Sequence, residues 1–348
     1  MSESLKVVVV GCGGMSRSWV KIALEAEAID LVGLVDLDRG AAVAMAERFG
    51  LSVEGEGSVV FGSLAEAVSA TGAAAVFDVT VPAAHHAVTT EALLLGCHVL
   101  GEKPMSDDLG KAKEMVAAAE AAGRVYAVTQ TRRPLPGFKS IEAFVAGGGL
   151  GPLTELHSDF YLGAHFGGFR DAMDHPLVLD MAIHTFDNAR QIAAAEPVSV
   201  YCHAWNPAGS WYAGAASAAA VFEFTGGAVY TYRGSWCAEG RPTTWESAWR
   251  VVGARGTLTW DGADTMHAQV VAPEAESAFQ LPLVDVEVPA VALEHTGHAY
   301  LIRQFAAHVL SGGATPIECP AADNIKSLAM VAAAVESAER GERVAVTW

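Results

Sequence analysis

Four valines, Val7 to Val10, run into Gly11-Cys12-Gly13-Gly14-Met15, and a buried parallel strand that ends in a glycine turn is a phosphate-binding arrangement. The glycines let the backbone approach a pyrophosphate, while a helix expected over 16–26 aims its free N–H groups and positive dipole end at the same anion. Ser16 replaces the third glycine of a G-x-G-x-x-G fingerprint and is small enough for helix and strand to pack closely. A second strand, expected over 31–35, ends at Asp36, about 20 residues on, where a carboxylate for a ribose hydroxyl belongs. Three further groups have types suited to chemistry. Gly101-Glu102-Lys103-Pro104 and the loop 80–86 each follow an expected strand, and a helix over 179–188 puts Asp180 and His184 four residues apart on one face.

Composition limits the partners. The 348 residues carry 22 Lys and Arg against 40 Asp and Glu, a formal charge of −18, which repels polyanions and argues against nucleic acid and anionic membranes. A chain of this length exceeds what one hydrophobic core holds, so two domains are expected. Cys12, Cys97, Cys202, Cys237 and Cys319 are scattered, with no C-x-x-C pair, which suits a reducing cytoplasm and predicts neither disulfides nor a metal site. The first strand begins within a few residues of Met1, leaving no room for a signal peptide, and no apolar run reaches membrane-spanning length; a cytoplasmic protein is expected.

The elements that must position these groups follow two patterns. Over 1–131, β-branched runs alternate with Ala-rich helical stretches such as 64–70, 87–95 and 109–122, the mark of a doubly wound parallel sheet. Ligands of such sheets sit at the carboxyl ends of the strands, so the loops after Val10, Val35, Val79 and Leu100 should converge on a cofactor. Over 132–348, runs of period two dominate, among them 153–162, 198–205, 218–224, 228–236, 248–252 and 257–260, with helices at 299–310 and 323–339. The expected fold class is α/β: an N-terminal Rossmann domain, then an α+β domain with a large open, mostly antiparallel sheet for substrate binding and oligomerisation. Such a sheet needs covering, which predicts a homodimer or homotetramer.

The glycine turn, Asp36, the Pro82-x-x-His85 loop, Glu102-Lys103-Pro104, the Asp180-x-x-x-His184 helix and the open sheet occur in one order. In this the chain resembles, over essentially its whole length, the glucose-fructose oxidoreductase, inositol dehydrogenase and MocA (Gfo/Idh/MocA) family. The resemblance implies hydride transfer between NAD(P) and a secondary hydroxyl of a sugar, inositol or related cyclic polyol. It carries over Lys103, Asp180 and His184 as catalytic residues and places Gly11, Gly13, Gly14, Met15, Asp36, Pro82, His85, Glu102 and Lys103 at the cofactor. A histidine, with an ordinary pKa of about 6.5, suits His184 to take the hydroxyl proton. Lys103 would favour the neutral imidazole and stabilise alkoxide charge, and Asp180 would hold the hydroxyl or orient the site. A cis bond at Pro104 is expected on the same resemblance.

A 2′-phosphate about 5 Å from Asp36 would be repelled by roughly 3 kcal/mol per charge at an effective dielectric near 20, so NAD is expected over NADP. Arg39 is the nearby cation, and Asp38 offsets it. Arg132, Arg133 and Arg170 either bind an anionic group on the substrate or pair with the acidic surface, Arg132 and Arg170 being the candidate substrate residues. His85 and His86 either line the nicotinamide or contact a helix N-terminus; Asp187 and Arg190 read as an ion pair on a helix face. Trp205, Trp211, Trp236, Trp245, Trp249 and Trp260 either meet sugar faces or build a core or an interface. Segment 169–177 replaces a glycine-rich stretch of many relatives, so the pocket wall is built differently. Two other readings stand beside the dehydrogenase. One is an NAD-dependent glycosidase acting by transient oxidation and elimination, with an extra acid or base among His157, Tyr161, His165 and His175; the other is a non-catalytic dinucleotide-binding regulator.

Overall fold

A computed structural model describes residues 4–275 and 279–348. The chain divides into two compact units, Met1–Pro134 with Glu294–Ile325 and Leu135–Leu293 with Lys326–Trp348. The first unit holds six parallel strands, β1 (Leu5–Val10), β2 (Ile29–Val35), β3 (Val60–Phe61), β4 (Ala75–Asp78), β5 (His98–Gly101) and β6 (Tyr126–Val128). Their order is β3-β2-β1-β4-β5-β6, so the chain reverses direction across the sheet between β1 and β4 and opens a crevice at their carboxyl ends. Every residue of β1 except Lys6 is buried, as a strand covered on both faces requires. Helices start where the sequence offers a cap: the side chains of Asp38, Ser63 and Asp108 accept from the N–H groups of Gly40, Glu66 and Lys111.

The division differs from a split at 131/132. Helix Gly297–Leu310 lays Ile302, Phe305 and Ala306, none more than 1% exposed, into the core around β1 and β4, with Phe305 edge-on to Phe77 at 6.1 Å. Just beyond it the Val128 N–H donates to the Cys319 carbonyl at 3.0 Å. Burying Ile302 and Phe305 contributes about 2–3 kcal/mol each, which is what returns this late segment to the first unit. Periodicity identifies the helix without saying which sheet it covers.

The second unit is built on nine strands, β7 (Leu153–Tyr161), β8 (Pro197–Trp205), β9 (Ser217–Phe224), β10 (Val229–Ser235), β11 (Ala248–Gly253), β12 (Gly256–Trp260), β13 (Met266–Val271), β14 (Leu283–Val286) and β15 (Val344–Ala345). They lie in the order β14-β13-β12-β11-β7-β10-β9-β8-β15. All neighbours are antiparallel except β7 and β10, which run parallel. One face is covered by helices Pro136–Ala146 and Ile183–Ala193. Phe138 meets Trp260 and Trp249 edge-on at 4.9 and 5.6 Å, and Phe186 meets Phe222 and Tyr232 at 4.8 and 5.2 Å. Helix Pro136–Ala146 and strands β13 and β14 lie outside the expected elements. Pro136 takes the first helical position, which suits proline, and β13 and β14 bury too little to show a period of two.

Candidate active site

Each unit carries one half of the expected chemistry. In the first, Gly11 has φ +91°, and a Cβ there would lie 2.6 Å from the Val79 carbonyl oxygen at the end of β4, so the fold itself demands glycine. Gly13 and Gly14 are different: a Cβ on either meets nothing within 4 Å. Their lack of side chain keeps open space above the turn, which is the room a pyrophosphate needs. The helix behind it, Ser16–Glu25, has no side-chain cap; within its first turn the Ser18 N–H donates to the Met15 carbonyl at 3.1 Å, and the helix start faces the space above the turn with its positive dipole end. Ser16 is buried and its hydroxyl donates to the Gly11 carbonyl, so the substituted third position braces the turn from below.

Asp36 at the end of β2 is fastened over this turn, its Oδ2 accepting from the Cys12 N–H at 2.7 Å and its Oδ1 from the Asp38 N–H at 2.9 Å. Burial, followed by the Asp36 charge, pushes the Cys12 thiol up to about 12, so it is inert. Met15, Leu37 and Val81, at 51%, 108% and 66% exposure, are large apolar side chains around the carboxyl ends of the strands. Room above the turn, an uncapped helix and a tethered carboxylate together fit a dinucleotide. Gly11, Gly13, Gly14, Met15 and Asp36 are the residues that would hold it.

His85 and Glu102, expected at the cofactor, are instead 1% and 7% exposed. His85 Nδ1 faces Asp78 Oδ1 at 2.9 Å, and the same carboxyl group accepts from the hydroxyls of Thr80 and Thr89 at 2.6 and 3.0 Å. Pro82 opens the helix Pro82–Leu94, and His86 pairs with Glu114 at 2.8 Å. Glu102 Oε1 faces His298 Nε2 at 2.6 Å and accepts from Trp19 Nε1 at 3.0 Å, while its Oε2 accepts from the Lys103 N–H at 3.0 Å. Burial raises the Glu102 pKa, but His298, Trp19 and Lys103 outweigh it and hold the group below the ordinary carboxylate range. Glu102 is therefore a brace under Lys103, whose bond to Pro104 is cis. Trp19 and His298 carried no spacing signal, because they lie 83 and 196 residues from Glu102.

In the second unit the expected single helix is two. Leu177–Ala182 is a π-helix and Ile183–Ala193 an α-helix, so Asp180 and His184 stand on either side of the junction. Local π geometry recurs at functional sites because it re-aims side chains that a regular helix would stack. Arg170 Nε donates to Asp180 Oδ2 at 2.6 Å, joining two expected site residues. Asp187 and Arg190, expected as an ion pair on a helix face, lie 3.9 Å apart and are buried, with the Ser327 hydroxyl donating to Asp187 at 2.7 Å and accepting from Arg190 at 3.0 Å. In the first unit Arg133 is tied to Asp323 and the Glu318 carbonyl, each at 2.8 Å, and Arg132 is 8% exposed.

The tryptophans separate by burial. Trp236, Trp249 and Trp260 are core, Trp205 is on the open sheet, and Trp211 and Trp245 flank segment 163–172. His157 bonds to Thr231 and Glu155 on the sheet face, His165 to Glu239, and His175 lies 3.7 Å from Glu339; Tyr161 pairs its backbone with Thr243. No helix among the described residues is long and apolar enough to cross a membrane, and no three His, Cys, Asp or Glu side chains among them form a metal-binding group.

A glycine turn beneath a carboxylate tethered by backbone N–H groups, on a parallel sheet with this strand order and followed by a second sheet unit, is the build of an NAD(P)-dependent dehydrogenase. Residues 5–130 match the oxidoreductase family with an NAD-binding Rossmann fold, and residues 138–259 match the GFO/IDH/MocA C-terminal domain; the chain belongs to that family. It is 28% identical to an uncharacterized protein of Sinorhizobium fredii over 98% of this chain and 95% of that one. It is 30% identical to the inositol 2-dehydrogenase of Renibacterium salmoninarum over 56% of this chain, spanning 57% of that enzyme. An oxidoreductase from Agrobacterium radiobacter, crystallised with NAD+, L-tartaric acid and magnesium, superposes with a TM-score of 0.83 at 20% identity, covering 99% of this chain and 98% of that one.

Proposed function

We propose that this chain transfers hydride between NAD and a secondary hydroxyl of a sugar, inositol or related cyclic polyol. The observation that carries the reading is the open space over Gly13 and Gly14 beneath an Asp36 carboxylate already fixed by two backbone N–H groups. Family membership and the likeness to an inositol 2-dehydrogenase support the substrate class. When bound, NAD supplies the hydride acceptor. The protein's own work is proton transfer and charge stabilisation. The His184 imidazole takes the hydroxyl proton as the carbon–hydrogen bond breaks, the Lys103 ammonium stabilises the alkoxide, and the Asp180 carboxylate accepts from the substrate hydroxyl and orients it. Asp36, with both oxygens engaged, favours the ribose diol of NAD over the 2′-phosphate of NADP.

The open sheet face supports a homodimer or homotetramer. A cross-strand row runs from Tyr201 and Val221 through Thr231, His157 and Arg250 to Thr259 and His267, and Tyr201, Val221 and the neighbouring Trp205 are 48%, 45% and 42% exposed. Five cysteines without a disulfide suit the cytoplasm.

The test is NADH absorbance with purified protein, NAD and a panel of inositols, monosaccharides, sugar acids and aryl glycosides. NADH should accumulate with a polyol, and Lys103→Ala and His184→Ala should each lower kcat at least about 100-fold while still binding NADH. Aglycone release without net NADH would replace this reading with the oxidation–elimination glycosidase. Cofactor binding without turnover of any panel member would leave the regulator.

A further inference from the structure

We propose that the Arg170 guanidinium is a carboxylate-recognition site that selects polyhydroxylated acids, uronic or aldonic, over their neutral counterparts; this deepens the dehydrogenase reading above and rests on it for the reaction. Arg170 lies in a short turn whose backbone passes through two left-handed glycines, Gly167 at φ +69° and Gly168 at φ +71°. Those two residues separate Phe166 from Phe169, and the turn brings both rings to the guanidinium, with centroids 5.0 and 4.8 Å from its central carbon. The rings are themselves 45% and 68% exposed, an unusual cost for two phenylalanines unless something covers them. Core Trp236 supports Phe166 from behind at 5.3 Å, and the half-exposed Trp245, 6.2 Å from Phe166, extends the apolar surface offered to the C–H face of a sugar.

A guanidinium has five N–H donors in a planar fork. Here only Nε is used, on Asp180 at 2.6 Å; the terminal amino groups, Nη1 and Nη2, have no hydrogen-bond acceptor among the described residues. Aromatic rings against the cation and an ion pair at Nε hold the plane of the fork, so little side-chain freedom remains to be lost when a ligand docks on the outer edge. Two parallel N–H groups match the two oxygens of a carboxylate. Asp180 already balances the charge of Arg170, and Asp171 follows it in the chain, so a doubly charged phosphate meets twice the carboxylate repulsion that a singly charged carboxylate does. The same side chain thus fixes Asp180, proposed to orient the reacting hydroxyl, and reads a second group of the substrate.

The experiment is calorimetric titration of the NADH-loaded protein with matched pairs: D-glucuronate and D-glucose, D-galacturonate and D-galactose, D-gluconate and D-glucitol. At least one acid should bind ten-fold or more tighter than its neutral partner. That ratio should fall to about one in Arg170→Gln and to an intermediate value in Arg170→Lys, which keeps the charge and loses the fork. NADH affinity and melting temperature report whether each variant is folded, and if Arg170→Gln is not, the ratio in Arg170→Lys decides. A ratio below ten for every pair, binding of no panel member, or a preference that survives both substitutions overturns the proposal. Failure of the dehydrogenase reading looks different: the acid preference is present and depends on Arg170, yet NAD is not reduced by any panel member.

Discussion

Gly11 and Gly13 are two residues apart in one turn, and the structure assigns their lack of a side chain to different causes. At Gly11 the fold excludes a methyl group. Its φ of +91° costs an L-residue about 1–2 kcal/mol. The added Cβ also sits 2.6 Å from the Val79 carbonyl oxygen, a backbone atom of a buried segment that cannot swing aside, so overpacking adds about 1–3 kcal/mol. Gly11→Ala should therefore destabilise the first unit by about 2–5 kcal/mol, and at about 2–4 °C per kcal/mol its melting transition should drop by about 4–20 °C. At Gly13 the methyl meets no atom within 4 Å and the backbone is not left-handed, so Gly13→Ala should melt within about 1 °C of the parent. It should nonetheless bind NADH at least about 10-fold more weakly, because the methyl fills the space proposed for the pyrophosphate. Differential scanning calorimetry with NADH fluorescence titration reads both effects. Parent-like NADH affinity in Gly13→Ala would refute the cradle, and a parent-like transition in Gly11→Ala would refute the steric argument.

Other consequences follow from the same contacts. Steady-state kinetics should favour NAD over NADP in the parent, and Asp36→Ser should erode that preference by about 10–100-fold; equal efficiency with NADP in the parent contradicts the role given to Asp36. Because His298 and Trp19 hold the Glu102 pKa below its unfolded value, this carboxylate contributes stability above the ordinary carboxylate range, and the contribution is lost as pH falls through the depressed folded value. His298→Ala relieves the depression, so acid unfolding should begin at a higher pH, with a loss of about 1–3 kcal/mol at neutral pH; an unmoved acid midpoint sinks the pairing. Phe305→Ala should cost about 3–5 kcal/mol and lower the melting temperature of the NADH-binding unit, and an effect confined to the other unit would show that helix Gly297–Leu310 had been assigned to the wrong core.

Much of the architecture could be read from periodicity. Helix Leu109–Ala122 has the expected bounds, and β7 to β12 lie within a residue or two of theirs, because half-buried strands and long amphipathic helices carry their burial in their own spacing. The second unit's shallow strands β13 and β14 do not, since only Ala268 among their residues is buried. At the candidate site, Gly11 and Asp36 were singled out from local order, and Lys103 and Asp180 from local order together with the family resemblance. Trp19 and His298 were not recognised, because a buried polar residue far along the chain acquires its partner only when distant segments meet.

The amino-acid order by itself determined the glycine turn, the carboxylate at the end of β2, the alternation of strands and helices, and the family to which they belong, all of which are properties of neighbouring residues. Tertiary structure alone decided that Glu294–Ile325 returns to the first unit and that Glu102 and His85 brace loops from within. It also joined Arg170 to Asp180 and left Nη1 and Nη2 without a hydrogen-bond acceptor among the described residues. The physical reason is that burial and ion pairing depend on which surfaces the fold brings together, and a local pattern records only that a surface is apolar or charged.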